Sequence, residues 1–173
     1  MAKLPLIEPT AEPAELRAVF DQLRATRGRV PAMYRMLAHQ PAILAAHRAY
    51  FHAALDAGVL PRAFKEKIAF KVARLRNSAY CTGSHQSYAL KHGVSSKELD
   101  AIDKSDYRSL ASAEAAALEL AEAMVRSGDA VAQDILEKLQ ALFATREIVE
   151  IVALVGIMEL ACTLAAVFGL DPD

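Results

Sequence analysis

The sequence predicts an all-α protein, and three observations lead to that prediction. Glycine and proline recur along the chain at intervals that suit helices, and no stretch sustains the alternation of apolar and polar residues that a strand needs. The 173 residues are 54% hydrophobic and 24% charged, which is enough apolar material for one sizeable core. No stretch has the composition of an interdomain linker, so we expect residues 1–173 to form a single domain.

Start and stop signals predict where each helix lies. In chain order we expect helices over 13–28, 31–41, 41–56, 61–76, 79–92, a short helix from 95, and then 112–126, 130–143 and 145–169. Prolines open several of them and glycines close several others. Ser95-Ser96-Lys97-Glu98 has the pattern of a capping box. Only the first ten residues and the stretch from Asp103 to Ser109 are typical of loops.

Charge and cysteine content exclude several classes of protein. Twenty basic and 21 acidic residues give a net charge of −1, which argues against a nucleic-acid partner. Two cysteines are too few for a disulfide framework, and no secretory signal is visible, so we expect a cytoplasmic protein. The stretch from 148 to 170 is strongly apolar but carries Glu150 and Glu159, each costing roughly 2.5–3.5 kcal/mol at the centre of a bilayer. We therefore expect burial in the protein or at a subunit interface, not a membrane span.

The helix over 61–76 places one acid on a side that should face protein. On a helical wheel, Lys67, Lys71 and Arg74 form a narrow basic arc that we expect to be solvated, whereas Glu66 falls among small apolar residues. Loss of hydration raises the pKa of a carboxyl group unless a donor compensates, and such a group suits proton transfer near neutral pH. The alternative interpretation is a structural salt bridge to a neighbouring helix.

The following helix carries a thiol and an imidazole one turn apart. Cys81 and His85 are an i,i+4 pair, so an imidazole can stabilise the thiolate or take its proton. Cys81 also lies in the first turn, where the helix dipole lowers a thiol pKa. The same face of the helix carries Ser78, Tyr88 and His92. The alternative is that Cys81 is a small buried apolar residue and His85 a core residue with its hydrogen bonds satisfied.

The combined spacing resembles a family signature. Glu66, eleven residues, Ser78-Ala79-Tyr80-Cys81, three residues and His85 resemble the pattern of the carboxymuconolactone decarboxylase family, in its alkylhydroperoxidase D-like branch. That branch has a Glu, then Cys-x-x-Cys, three residues and a His. The flanking stretches 65–73, 91–95 and 36–41 are also similar to it, and the resemblance is strongest over 33–100.

The resemblance implies a helical bundle that assembles as trimers or hexamers and reduces small hydroperoxides at the expense of a thiol reductant, with no cofactor. It implies Cys81 as the nucleophile, His85 as its proton acceptor and Glu66 as a proton relay. Tyr88 and Asn77 are expected to line the site. Ser78 stands where the redox-active members have their first cysteine, and a serine forms a hydrogen bond but no disulfide. The partner that resolves an oxidised Cys81 therefore stays open between Cys162, a small thiol and a cysteine of another subunit.

Other chemistries fit the residues less well. A metal site is not expected, because His85 and His92 are separated by about 10 Å along the helix. His39, His47 and His52 are expected at the surface or in local hydrogen bonds. An acid–base decarboxylase using Glu66 and His85 without a thiol is one alternative function, and a non-catalytic helical oligomer on the same scaffold is another.

Overall fold

A computed structural model describes residues 2–8, 10, 14–127 and 133–172, and these residues form nine α-helices and no β-strand. The helices are α1 (Arg17–Arg27), α2 (Ala32–Leu37), α3 (Pro41–Phe51), α4 (Arg62–Leu75), α5 (Ala79–Lys91), α6 (Ser96–Asp103), α7 (Ser112–Ser127), α8 (Gln133–Leu142) and α9 (Thr145–Phe168). A 3-10 turn over Ala14–Leu16 precedes α1, and a π-helical turn over His52–Asp56 extends α3. The predicted all-α fold is confirmed. The predicted start at Pro13, stop at Gly128 and start at Ala130 lie outside the described residues.

Local chemistry explains the helix ends. Pro41 occupies the first turn of α3, where its missing N–H would have had no partner. Gly28 and Gly169 end α1 and α9 in the left-handed region, with φ of 73° and 61°. Ser95 and Glu98 form the predicted capping box, each side chain accepting the other's backbone N–H. These signals fix where helices begin and end, so the sequence locates the helices closely.

Helix α4 is the centre of the bundle. It packs against α5, α6, α7 and α9, and Ile68, Val72, Ala69 and Ala73 are fully buried. A helix surrounded in this way has almost no solvated face. Charged side chains that leave α4 must therefore find partners on the neighbouring helices.

The expected solvated arc on α4 is wrong for two of its three members. Lys67 is 6% exposed and Lys71 is 1% exposed. Lys67 pairs with Glu98 at 3.0 Å and with a glutamate of α7 at 2.8 Å, while Lys71 pairs with Glu122 at 2.9 Å. Only Arg74 is exposed. The arc is buried because α6 and α7 pack over it and bring acids to meet each lysine.

Helix α9 is the one helix in the described part of the chain with the length and composition to cross a membrane, and 44% of its most apolar window is buried inside the protein. It packs on α4, α5 and α7. Its Glu150 has polar partners: it accepts hydrogen bonds from the Lys65 ammonium at 2.8 Å and from the backbone N–H groups of Val59 and Leu60 at 2.8 and 3.3 Å. This acid therefore joins α9 to the segment that leads into α4.

Replacing Glu150 by alanine leaves the 1%-exposed Lys65 without its carboxylate. Breaking a buried pair in this way costs about 3–5 kcal/mol. We expect Glu150→Ala to lower the free energy of unfolding by that order, measured by urea denaturation at fixed protein concentration. Glu159→Ala on the same helix is the control and should change it little. Equal losses in the two variants would show that the Lys65–Glu150 pair is not a main contact of α9.

Candidate active site

A buried carboxylate and an imidazole meet where α4 faces α5. Glu66 is 0% exposed, and the Nδ1 of His85 lies 2.7 Å from its Oε2. One turn before Glu66, the Nε of Arg62 donates to Oε1 at 2.7 Å. Glu66 is therefore bound on one side by the imidazole and on the other by the guanidinium.

These two donors determine the ionisation of Glu66. Burial alone would raise its pKa, but the hydrogen bond and charge of His85, followed by the charge and hydrogen bond of Arg62, bring the pKa of Glu66 below its usual value. His85 and Arg62 are therefore the donors that compensate the buried carboxylate. An ionised carboxylate only accepts hydrogen bonds, so the Nδ1 of His85 carries the proton and its Nε2 is left for other chemistry.

Cys81 lies at the start of α5, next to the second cysteine of the chain. The Ser78 hydroxyl caps α5 by accepting the Cys81 backbone N–H at 3.4 Å. The side chains of Cys81 and Cys162 of α9 interact with each other, and the Ser78 side chain interacts with both sulfurs. Both cysteines are buried and reduced. Packing of α5 against α9 thus brings together two thiols that are 81 positions apart.

The two thiols differ in acidity. The hydrogen bond from Cys162 lowers the pKa of Cys81 to about 6, against the effect of burial and with smaller contributions from Ser78 and the charge of His85. The same hydrogen bond, together with burial, raises the pKa of Cys162. The interaction therefore favours the thiolate, the reactive form, at Cys81, with Cys162 as the thiol that keeps its proton.

Cys81 and His85 open onto a cavity of about 570 Å³. Tyr88, predicted to line the site, is in its wall, with the guanidinium groups of Arg27 and Arg62 at 5.5 and 5.7 Å from its ring centre. Cys162 is not among the lining residues, although its neighbour in sequence, alanine 161, is. Small molecules in the cavity therefore reach the Cys81 sulfur before the Cys162 sulfur.

Two other residues, Asn77 and His47, do not lie where the sequence predicts. Asn77 is exposed and does not line the cavity; its backbone, with φ of 50°, makes the turn between α4 and α5. His39 and His52 are exposed, as predicted, and they bond to the backbone carbonyl of Pro5 and to the carboxylate of Asp56. The same prediction is wrong for His47, which is 7% exposed and has no hydrogen-bond partner for either ring nitrogen.

Sequence reasoning missed two features of this site, Arg62 and His47, and left a third open, the proximity of Cys162 to Cys81. Arg62 has an i,i+4 relation to Glu66, so its ion pair could have been predicted from spacing. His47 shares the apolar stripe of Leu44 and Phe51 on α3, which indicates burial but not the cavity. The contact of Cys162 with Cys81 has no local signal, because it depends on how α9 packs. Among the described residues, no three side chains form a cluster suited to a metal ion.

Comparisons with known proteins agree with this fold. Residues 41–123 match the model of the carboxymuconolactone decarboxylase family, and no curated protein matches the chain. The fold is similar to those of two uncharacterized peroxidase-related proteins. One, from Ralstonia eutropha JMP134, is described as an alkylhydroperoxidase AhpD core; the other is from Silicibacter sp. TM1040. Each has a TM-score of 0.88 and is 21% identical to this chain. Each match covers 99% of this chain, together with 92% of the Ralstonia protein and 90% of the Silicibacter protein. The debrominase Bmp8, in complex with 2,3,4-tribromopyrrole, has a TM-score of 0.86 and 18% identity, covering 100% and 94%. At these identities the structures show a shared fold.

The pKa of Cys81 predicts how fast it is alkylated. Iodoacetamide reacts with the thiolate, so the rate at Cys81 should rise with pH through a midpoint near 6 and then level off. Cys162→Ala removes the donor that contributes most to the shift, and the midpoint should move up towards the value of about 8.5 for free cysteine. Mass spectrometry of the Cys81 peptide across a pH series measures both.

Cys162→Ser is the matched control, because its hydroxyl still donates and should give an intermediate midpoint. A midpoint in the wild type that already equals that of a free thiol would contradict the thiol–thiol hydrogen bond.

Proposed function

The chain belongs to the carboxymuconolactone decarboxylase family, and on that premise we propose that it is a thiol-dependent peroxidase that reduces hydroperoxides. One observation carries the proposal: the packing of α5 against α9 places Cys162 beside Cys81, so that the two thiols interact. A peroxidase of this type needs a reactive thiolate and a second sulfur, and Ser78 cannot supply the second. The fold shared with peroxidase-related proteins supports the same activity.

In the first step, the Cys81 thiolate attacks the terminal oxygen of the hydroperoxide, the one that carries the hydrogen atom. The O–O bond breaks, a sulfenic acid forms on Cys81, and the alkoxide leaves. His85 gives the alkoxide the proton that it accepted when the thiol ionised, so thiol plus hydroperoxide yields sulfenic acid plus alcohol. Glu66 binds Nδ1 in this step, which holds the ring in place and places a negative charge beside it.

In the second step, Cys162 attacks the sulfenic sulfur. A disulfide forms, the S–O bond breaks, and water leaves with the hydroxyl group of Cys81 and the proton of Cys162. Cys162 does not line the cavity, so it approaches from the protein side while the peroxide arrives from the cavity side. Two molecules of a small thiol, or one dithiol, then reduce the disulfide and are themselves oxidised. Such reductants are abundant in the cytoplasm, where we place the protein.

Treatment with one equivalent of an alkyl hydroperoxide should convert the wild type into a Cys81–Cys162 disulfide. Intact mass should fall by two hydrogen atoms, and peptide mapping should locate the bond. Cys162→Ser stops the reaction after its first step, so a sulfenic-acid probe should label Cys81 strongly there, weakly in the wild type and not in Cys81→Ser. Replacing His85 by asparagine should slow labelling by about 10²-fold or more.

Each alternative has its own outcome in this experiment. Labelling of Cys81 no faster than that of a free thiol would favour a non-catalytic helical oligomer. Turnover of a carboxylated lactone that survives Cys81→Ser would favour the decarboxylase, with Glu66 and His85 as its acid–base pair. A mixed disulfide of Cys81 with a small thiol, in place of the intrachain bond, would remove Cys162 from the mechanism.

We further propose that the protein is a homo-oligomer that associates through α9. An exposed apolar stripe follows one side of this helix through Val149, Val152, Leu160 and Val167. Gly156 and Thr163 continue the same line at helical spacing. Exposed apolar stripes of this kind mark interaction surfaces, and a net charge of −1 allows copies to approach without strong repulsion.

Val152→Glu combined with Leu160→Glu should convert the oligomer into monomers, because two acids would be buried at the interface. Light scattering coupled to size exclusion measures the mass. Leu136→Glu, on α8 and also exposed, is the control and should leave the mass unchanged. A wild type that is already monomeric would contradict the proposal.

A further inference from the structure

His47 is a buried polar residue without a polar partner. It is 7% exposed, and neither ring nitrogen has a hydrogen-bond partner. Burial lowers the pKa of His47, so the imidazole is neutral at pH 7 and presents one donor and one acceptor. Leaving both unsatisfied costs about 1–3 kcal/mol for each group, which makes such residues rare in folded proteins unless a ligand completes them.

The position of His47 relates it to the reactive groups. It lines the same cavity as Cys81 and His85. Its ring stacks on Phe51, with centroids 5.8 Å apart and planes at 20°, and Phe51 in turn lies 6.2 Å from the ring of His85. A ligand that bonds to His47 therefore lies beside the row of rings that ends at the proposed proton acceptor.

The size and lining of the cavity describe its ligand. About 570 Å³ falls in the range of sites for small organic molecules and is many times larger than hydrogen peroxide requires. Six of its lining side chains are aromatic or imidazole rings: Tyr34, His47, Phe51, Tyr80, His85 and Tyr88. Rings prefer to stack on flat π-systems, so the wall favours an aromatic ligand over an aliphatic one.

The charges of the lining are of one sign. It contains Arg27, Arg29, Arg62 and Lys91, and no aspartate or glutamate among the described residues. Arg62 is paired with Glu66, and the carboxylate of Asp56, which lines the adjoining cavity, is also bonded to Arg62. Arg27 lies over the rings of Tyr34 and Tyr88 at 5.7 and 5.5 Å. It pairs with no carboxylate in the part of the chain that the structure describes.

We propose that this cavity binds an aromatic carboxylate, with Arg27 facing the carboxylate, the tyrosine and phenylalanine rings enclosing the aromatic body, and His47 bonding to a polar substituent. The substrate class follows from this site together with the proposed peroxidase activity, on which it rests: aromatic hydroperoxides that carry a carboxylate. The binding site itself does not depend on that activity, because none of these three contacts involves a sulfur.

Binding of 1-naphthoate by calorimetry tests this site. The full-length Cys81→Ser variant serves as the host, so that no redox chemistry occurs and binding is measured even if the protein is not a peroxidase. We expect 1-naphthoate to bind, and the neutral 1-naphthalenemethanol and the saturated decahydronaphthoate to bind at least about tenfold more weakly. For the alcohol, that factor is the order expected for the loss of one charged hydrogen bond. For the decahydronaphthoate, which keeps its carboxylate, it is the order expected for the loss of the aromatic contacts, at about 0.5–1.5 kcal/mol for each ring pair.

Variants of the pocket separate a binding role from a structural one. In this host, Arg27→Gln should weaken 1-naphthoate about tenfold without affecting the neutral analogue. Arg108→Gln, a fully solvated arginine that is 89% exposed, should affect neither. His47→Phe keeps the stacking but removes both nitrogens, so it should raise the melting temperature while weakening a hydroxynaphthoate that offers a second polar group; His47→Gln should restore part of that affinity.

Two results would overturn the proposal. One is equal affinity for the carboxylate and the neutral analogue; the other is unchanged affinity in both Arg27→Gln and His47→Phe, verified as folded by circular dichroism. If naphthoate binds as expected but Cys81 of the wild type shows no peroxide reactivity, the site stands and the peroxidase proposal fails.

Discussion

The contact between Glu66 and His85 is the constraint on which the rest of this site depends. A carboxylate that is fully buried on the central helix must be compensated, and here the compensation comes from the imidazole at 2.7 Å and from Arg62. The contact fixes which nitrogen of His85 carries the proton, and it fixes the direction of the ring. Because α4 is packed on all sides, neither group can move without disturbing the core.

Ser78 stands where the family pattern that this sequence resembles has a cysteine. The hydroxyl still caps α5 and interacts with the Cys81 sulfur. In the proposed mechanism the second sulfur comes from Cys162 on α9, which makes the thiol pair a property of helix packing and not of one helical turn. A pair held between helices responds to anything that shifts α9, including association through its exposed stripe. In the proposed mechanism, assembly and redox chemistry therefore share one element.

The sequence predicts those parts of the site that are encoded at short range. Glu66, Cys81 and His85 lie on two consecutive helices, so helical periodicity and one turn are enough to bring them together. The same reasoning fails for Lys67 and Lys71, because a wheel shows which residues share a face but not whether another helix covers it. It fails for Cys162 for a related reason: its partner Cys81 comes from an element far away in the chain, and periodicity carries no information about which helices meet. It fails for His47 because a wheel shows that this residue shares an apolar stripe but not that a cavity lies beside it.

The charges around the cavity explain how an anionic ligand and a thiolate can occupy the same small space. Cys81 at neutral pH and Glu66 contribute two negative charges, and an incoming carboxylate would be repelled by both. Arg62 already neutralises Glu66 from its far side. Arg27 stands apart from that pair, on the two tyrosine rings, where its charge is available to a ligand. In this arrangement Arg27 holds the carboxylate of the ligand, and the uncharged end of the ligand faces the Cys81 sulfur. A hydroperoxide group would have to lie at that uncharged end.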